Sequence, residues 1–546
     1  MHSIAGGREE KGEAHKLFRT QAVAPSMAGT PDYNQGTLPK TEQEDQHVKK
    51  KILSILLVTM LLLTACAGAL AQQAPQPRRI APSATGSITV NGVEAGAKIS
   101  AYQIMNVDFR TDTQSLIGYS WVAPVDAWIK SQWAGYNGTA PTLPSGVSEK
   151  LFYDKMAAAI SGKTLSLSAA PALTNLALGQ YLVLVTGGVN VYEPMVGNVA
   201  PVWDTGTGEW NISSPTITAK ASTPTLDKKI NAGANPNEDL YDTVSIGEDV
   251  TFDIRANVPT YPDNATATRY DISDTMSKGL TYKDGFQVWG VDASNAETLL
   301  TAVTDYTLAP APSASSQSFA VKLIYAQIKQ YKSVHIKYVA TVNAEVELGT
   351  ETNKNTAKLT YSNDPYVDTD FKEITDEVKL YPYGVKVTKL DGKDNVTVLA
   401  GAEFELRTVA ADAGTAIKFA AGTAPVYKKA VTGGAVKLVT SAAGLIQLDG
   451  LDVGTYYLVE TKAPGGYNLL VTPVTVTIVK DSTNPALAAG QTDAFVKVTV
   501  ANNKGPVLPS TGGMGTTLFT VLGIALMAGV VIVLIVMNRK KSKKAN

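Results

Sequence analysis

An all-β architecture is what this sequence predicts: β-sandwich modules strung in series behind an export signal and ahead of a membrane-spanning helix. Three observations carry that expectation. At 546 residues the chain is too long for one hydrophobic core and should divide into several modules. It is rich in Thr, Val, Ala, Gly and Tyr, and alternation of apolar with polar residues outnumbers helical periodicity, which is the pattern of short half-buried strands joined by turns. Apolar segments of two different lengths stand near the two ends and divide into a short export signal and a longer anchor.

Residues 1–48 are polar and lack a periodic apolar pattern, so they read as a start site assigned too early or a disordered extension, with translation from near Val48 giving an ordinary leader. The segment 49–71 opens with Lys49, Lys50 and Lys51, continues through an apolar run at 52–63, and closes on Ala69-Leu70-Ala71, the order of a signal peptide cleaved after Ala71. That run is too short to span a bilayer, which takes about 20 apolar residues. Leu63-Thr64-Ala65-Cys66 resembles the lipobox of bacterial lipoproteins, which keeps open a mature chain that starts at an acylated Cys66.

A linker at 72–84 leads to a first module at 85–222, which mixes strands such as Tyr181-Leu182-Val183-Leu184-Val185 with a small helical insertion near 148–160, where Leu151, Phe152, Met156 and Ile160 recur at helical spacing. A second module, 223–381, alternates at Val250, Phe252, Ile254 and Ala256 and again at Val334, Ile336, Tyr338, Ala340 and Val342, so two facing sheets should bury both sets. A third, 382–505, contains the strand-like runs Gly401-Ala402-Glu403-Phe404-Glu405-Leu406 and Tyr456-Tyr457-Leu458-Val459-Glu460. The motif segment 506–512, the apolar helix 513–537 and the tail 538–546 with Arg539, Lys540, Lys541, Lys543 and Lys544 complete the chain. The helix is long enough to span a bilayer, with its basic tail held in the cytoplasm.

Several function classes lack their parts. With 48 basic against 49 acidic residues the chain has no global field to attract nucleic acid. Its one cysteine, Cys66, falls within the leader, which removes disulfides and thiolate chemistry from the mature chain. Of four histidines, His2, His15 and His47 precede the same segment, leaving His335 as an outward-facing strand residue, so no metal cluster, cofactor site or hydrolytic triad is expected.

Leu508-Pro509-Ser510-Thr511-Gly512, followed by the apolar span and basic tail, resembles the LPxTG sorting signal of Gram-positive surface proteins. The resemblance implies that a sortase cleaves between Thr511 and Gly512 and passes the Thr511 carbonyl to an amine, so membrane anchoring is transient. The third module is similar to collagen-adhesin B-type immunoglobulin-like modules through its opening strand from Val385 to Asp391, the GAEFEL strand, the segment YYLVETKAPGGYN and the closing VKVTVANN. Such modules form a spontaneous Lys–Asn isopeptide bond under a buried carboxylic acid. Alternation puts Lys389 on the inward face with Val385 and Val387, and Asn502 with Val498 and Val500, while Glu460 is the matching acid. The second module looks like the corresponding module of pilus shaft proteins, which implies Lys228, Asn355 and Asp274, with Lys229 and Asp271 as the nearest competitors. The chemistry needs a neutral amine and a protonated acid, and burial favours both. The bonds are expected to join first strand to last, closing loops of roughly 125 residues worth about 5 kcal/mol by analogy with disulfides. No matching trio stands out in the first module.

Pilus shaft proteins also carry an exposed lysine in a W-x(3)-V-x-V-x-P-K segment. Here Trp210 is followed by Pro215-Thr216-Ile217-Thr218-Ala219-Lys220, which points to Lys220 although Ala219 replaces the usual proline and the gap from the tryptophan is longer. The resemblance implies a major pilin, self-bonded but not otherwise an enzyme. A class C sortase would polymerise it head to tail, minor pilins would accompany it, and a housekeeping sortase would attach it to peptidoglycan. The competing reading is a monomeric adhesin whose first module binds a ligand on a stalk.

Overall fold

The structure is a computed structural model that describes residues 80–110, 115–231, 240–420, 424–505 and 514–542. The leader segment with Cys66, and the motif Leu508–Gly512, lie outside the described residues.

Among residues 80–222, strands β1 (Thr89–Asn91), β2 (Lys98–Phe109), β3 (Leu116–Trp121), β4 (Gly179–Thr186), β5 (Val191–Tyr192), β6 (Met195–Val199), β7 (Thr216–Thr218) and β8 (Ala221–Ser222) appear with two helices, α1 (Ala123–Gln132) and α2 (Glu149–Ser161). The main sheet runs β3-β2-β4-β6. Helix α2 starts where Ser148 caps it, its Oγ accepting from the Leu151 amide at 3.2 Å. Phe152, Met156 and Ile160, four residues apart, pack on the sheet, whereas Leu151 turns to solvent, a correction to its place in the expected stripe. Helix α1 was not anticipated. Its Val125, Trp128 and Ile129 fill the same core, and Pro124 sits at its start, where a missing N–H costs nothing.

The next stretch forms β9 (Leu226–Ile230), β10 (Tyr241–Thr243), β11 (Asp249–Asn257), β12 (Tyr270–Met276), β13 (Leu280–Val291), β14 (Glu297–Leu299), β15 (Tyr306–Leu308), β16 (Ser318–Leu323), β17 (Ser333–Val342), β18 (Lys354–Ser362) and β19 (Phe371–Tyr381). A five-stranded sheet β9-β11-β17-β13-β14 faces a six-stranded one, β10-β19-β18-β12-β16-β15. The expected inward sets of β11 and β17 are fully buried between them.

The last strands are β20 (Tyr383–Asp391), β21 (Glu403–Arg407), β22 (Val426–Lys428), β23 (Leu438–Val439), β24 (Leu445–Leu451), β25 (Gly454–Lys462), β26 (Val474–Ile478) and β27 (Phe495–Asn502), arranged as β22-β24-β20-β27 against β23-β21-β25-β26. Helix α3 (Met514–Ser542) contains a 23-residue stretch, Leu518–Lys540, long and apolar enough to cross a membrane.

Two junctions are tight. Asn363 accepts from the Gly187 amide at 2.7 Å and donates to the carbonyls of Gly188 and Asn190 at 3.0 Å each, fixing the turn before β5 against the end of β18. Farther along, the Ile246 amide donates to the Gly450 carbonyl at 3.0 Å, and Lys429 donates to Ser245 Oγ at 2.8 Å.

Candidate functional site

A lysine whose neighbours along the strand are apolar and alternate with polar residues must point inward, and β9 does this with Lys228. Its side chain is wholly buried, its ammonium 5.2 Å from the Phe252 ring centre and 5.7 Å from that of Tyr338. It is ion-paired with Asp274 of β12, in the opposite sheet. Asp274 also accepts from the Tyr338 hydroxyl at 2.8 Å, and the same hydroxyl accepts from Asn355 Nδ2. Lysine, acid, phenol and amide thus form one buried chain that crosses the sandwich. Burial pushes the Lys228 ammonium down and the Asp274 carboxyl up, and their mutual attraction opposes both shifts. The competitors part from this set: Lys229 faces outward toward Asp227, and Asp271 pairs with Arg269 on the outer face.

Asn355 opens β18, the penultimate strand, so the expectation of a first-to-last pairing fails in this stretch. Ile374, Val378 and Leu380 give the chain one more apolar face to bury after Asn355, and β19 forms on the edge of β18.

In the last sandwich, β20 and β27 are parallel neighbours with Lys389 opposite Val500 and Asp391 opposite Asn502, so lysine and asparagine lie two residues apart on adjacent strands and face inward. Both are fully buried. Lys389 Nζ donates to the Val500 carbonyl at 3.2 Å. Asn502 Nδ2 meets the two carboxylate oxygens of Glu460 at 2.9 and 2.7 Å and the Asn468 carbonyl at 2.9 Å, while the Leu470 amide holds Glu460 Oε2 at 2.8 Å. Glu460 comes from β25 of the facing sheet. Burial lowers the Lys389 pKa, with Glu460 and then Asp391 opposing.

In both sets the asparagine Oδ1 is buried with no hydrogen-bond partner. Folded proteins seldom leave such an acceptor empty, and a part in chemistry is one of the reasons for which they do.

Tyr338 is the member that sequence reasoning missed. A signal was present: a phenol on an otherwise aliphatic inward face must find a polar partner when buried. The backbone groups of Asn468 and Leu470 were missed too, because only the folded loop brings them to Glu460.

Lys220 lies between two ladders. Before it, β7 runs parallel to β1, and the Ala219 amide donates to the Asn91 carbonyl at 2.8 Å. After it, β8 pairs with β5, and the Glu193 amide donates to the Lys220 carbonyl at 3.0 Å. The backbone is therefore fixed on both sides while the side chain is 81% exposed, its Nζ 3.9 Å from Glu193 Oε2. Trp210 packs edge-on against Trp203 in a separate hairpin, ring centres 5.4 Å apart. His335 lies on the outer face of β17 with Nδ1 3.2 Å from Glu297. No group of three or more His, Cys, Asp or Glu that could hold a metal occurs among the described residues.

Three family models match the chain: the Gram-positive pilin backbone subunit 2 Cna-B-like domain over residues 246–365, the SpaA prealbumin-like fold domain over 384–492, and the LPXTG cell wall anchor motif over 501–544. Among curated proteins it is 23% identical over 546 residues to the trypsin-resistant surface T6 protein of Streptococcus pyogenes, covering 84% of this chain and 95% of that one. It is 24% identical over 380 residues to the type 1 fimbrial subunit of Actinomyces viscosus, covering 62% and 68% respectively. The solved T6 backbone pilin of serotype M6 Streptococcus pyogenes shares its fold at a TM-score of 0.55 and 17% identity, covering 80% of this chain and all of that one. The chain thus carries a module that matches a Gram-positive pilin backbone domain and an LPXTG cell wall anchor motif, which make it a cell-wall-anchored surface protein.

Proposed function

We propose that the chain is the repeating subunit of a covalent pilus, welded internally by two isopeptide bonds and joined to its neighbours through Lys220 and Thr511. The observation that carries this reading is the pair of buried lysine, acid and asparagine sets, each with an amide oxygen that lacks a donor. A buried lysine that has shed its proton is a nucleophile held at fixed range, with the proximity advantage of an intramolecular reaction. Lys389 Nζ attacks Asn502 Cγ, and Lys228 Nζ attacks Asn355 Cγ. The protonated acid, Glu460 directly or Asp274 by way of the Tyr338 hydroxyl, donates to the amide nitrogen it faces and takes back a proton from the lysine nitrogen as the tetrahedral centre collapses. One C–N bond forms, one breaks, and ammonia leaves, with no oxidant or cofactor required.

Lys220 has the opposite requirement. It must stay wet and reachable so that a class C sortase holding Thr511 of another copy as an acyl-enzyme can transfer it to the lysine amine. A contact between two different surfaces does not close on itself and therefore grows a fibre. A housekeeping sortase would transfer the finished polymer to peptidoglycan.

Intact mass of the secreted chain tests the welds: it should lie two ammonia masses below the uncondensed value, and one below after Glu460→Ala. A wild-type mass equal to the uncondensed chain refutes them. The chain-joining lysine is tested in cells with the cognate sortase, where Lys220→Ala should abolish the boiling-resistant ladder of high-mass species.

A further inference from the structure

Strand β27 ends at Asn502, and the chain leaves the last sandwich between two loops. One, at 392–398, is tied to the strand end by the Gly392 amide donating to the Asn502 carbonyl at 2.9 Å and is closed by the Asp391 amide donating to Thr397 at 2.8 Å. It exposes Val398 and, at 77%, Val396. Exposed Leu445 adjoins it, since a Cβ built on Gly444 would stand 3.0 Å from Val398 Cβ. The other loop, at 467–471, is held by the Asn468 amide on the Asn503 carbonyl at 3.0 Å and by a bridge between Tyr467 and Lys504. It exposes Leu469 and, at 95%, Val471. Five aliphatic side chains therefore collar the point where the chain exits, and none serves the core of the module that carries it.

Resting on the reading that Thr511 of one copy is bonded to Lys220 of the next, we propose that this collar docks on the first module of the next copy, beside Lys220. The length of chain beyond Gly505 selects the occupant. Thr511 is six residues on, and six residues reach at most about 20 Å. From the moment Thr511 is presented to the neighbour's Lys220, the collar is thus held close to it, at an effective concentration that populates even a weak apolar contact. The receiving wall is rigid, because the ladders on either side of Lys220 fix its backbone, and exposed Val189 lies two residues before β5, the strand that pairs with β8. Burying the collar there would remove from water an aliphatic cluster that a lone molecule leaves wet.

The full chain in cells with its class C sortase provides the test. Both substituted positions are exposed, so Val396→Asp with Val471→Asp should leave each module folded and leave cleavage at Thr511 unchanged, while the ladder weakens at least fivefold. A photoreactive benzoylphenylalanine at position 471 should cross-link, within the ladder, to peptides from residues 150–222 of a second copy. A ladder of wild-type intensity in the double variant overturns the proposal, as do cross-links confined to one copy or directed to a different protein. Lys220→Ala separates the two ideas: a ladder that survives it refutes the linkage, whereas a ladder lost with it but intact in the double variant refutes only the docking.

Discussion

A buried ammonium with an incomplete set of partners costs several kcal/mol, so a fold that hides two of them must either neutralise or consume them. In the unbonded protein Lys228 has Asp274 and the faces of two aromatic rings, while Lys389 has one backbone carbonyl and a more distant carboxylate. The proposed conversion to amides would remove the burden at both places. Tyr338 should matter to the first of these, since its hydroxyl bridges Asp274 and Asn355. Losing a hydrogen bond to a charged or protonating group is worth about 1.5–3 kcal/mol, so Tyr338→Phe should slow bond formation roughly 10- to 100-fold, read as the time course of ammonia loss by mass. Asn502→Ala leaves Lys389 a free amine. Its folded pKa lies below the ordinary lysine value of about 10.4, so between the two values the unfolded chain binds more protons and stability rises with pH. Thermal melts of Asn502→Ala should therefore improve from neutral pH toward pH 10 relative to wild type, whose lysine the proposed bond would consume. A melt that declines in parallel with wild type would contradict the buried amine.

At the scale of elements, the two proposed welds differ in what they would join. In the last sandwich the bond would link adjacent parallel strands β20 and β27 of one sheet, with Glu460 reaching over from the other. In the middle sandwich it would run between sheets, from β9 to β18, with β19 outside the closed loop. The seam between these two sandwiches depends on Gly450, whose φ of +85° disfavours any side chain and whose Cβ would stand 2.2 Å from Ile246 Cδ1. Gly450→Ala should cost about 1–3 kcal/mol through backbone strain and overpacking. Faster protease cleavage near the junction, with the ammonia loss of both modules retained, is the expected outcome. Unchanged cleavage would mean that the seam contributes little to holding the modules together.

For the whole molecule, the proposed bonds at Lys220, Lys228, Asn355, Lys389, Asn502 and Thr511 would set the path that tension takes through the polymer. With the proposed linkages, force entering at Lys220 would bypass residues 85–219, pass from Lys228 to Asn355 through the first bond, and from Lys389 to Asn502 through the second. Only the stretch from Asn355 to Lys389 would then carry load along unprotected backbone within the sandwiches. Pulling single molecules from Lys220 and the carboxyl end should therefore give one extension step on the order of 110 Å, from about 34 residues at their full reach. The regions 228–355 and 389–502 should stay folded. Removing the second weld with Glu460→Ala should add a further, longer step, and its absence would show that the bond does not bear the load.

Local pattern alone determined the strand faces, because side chains alternate strictly along a strand: Lys389 with Val385 and Val387, Asn502 with Val498 and Val500, and the inward rows of β11 and β17 were legible before any coordinate. The sorting signal was equally legible, since motif, span and basic tail are contiguous in the chain. What only the tertiary structure decided depends on contacts between segments far apart in sequence. The choice of Lys228 and Asp274 over Lys229 and Asp271 required the register of two facing sheets, and the part of Tyr338 required β17 to stand across from β12. Likewise, the penultimate place of Asn355, the ladders that fix Lys220 and the collar around the exit of β27 arise from pairings that a period of two cannot encode.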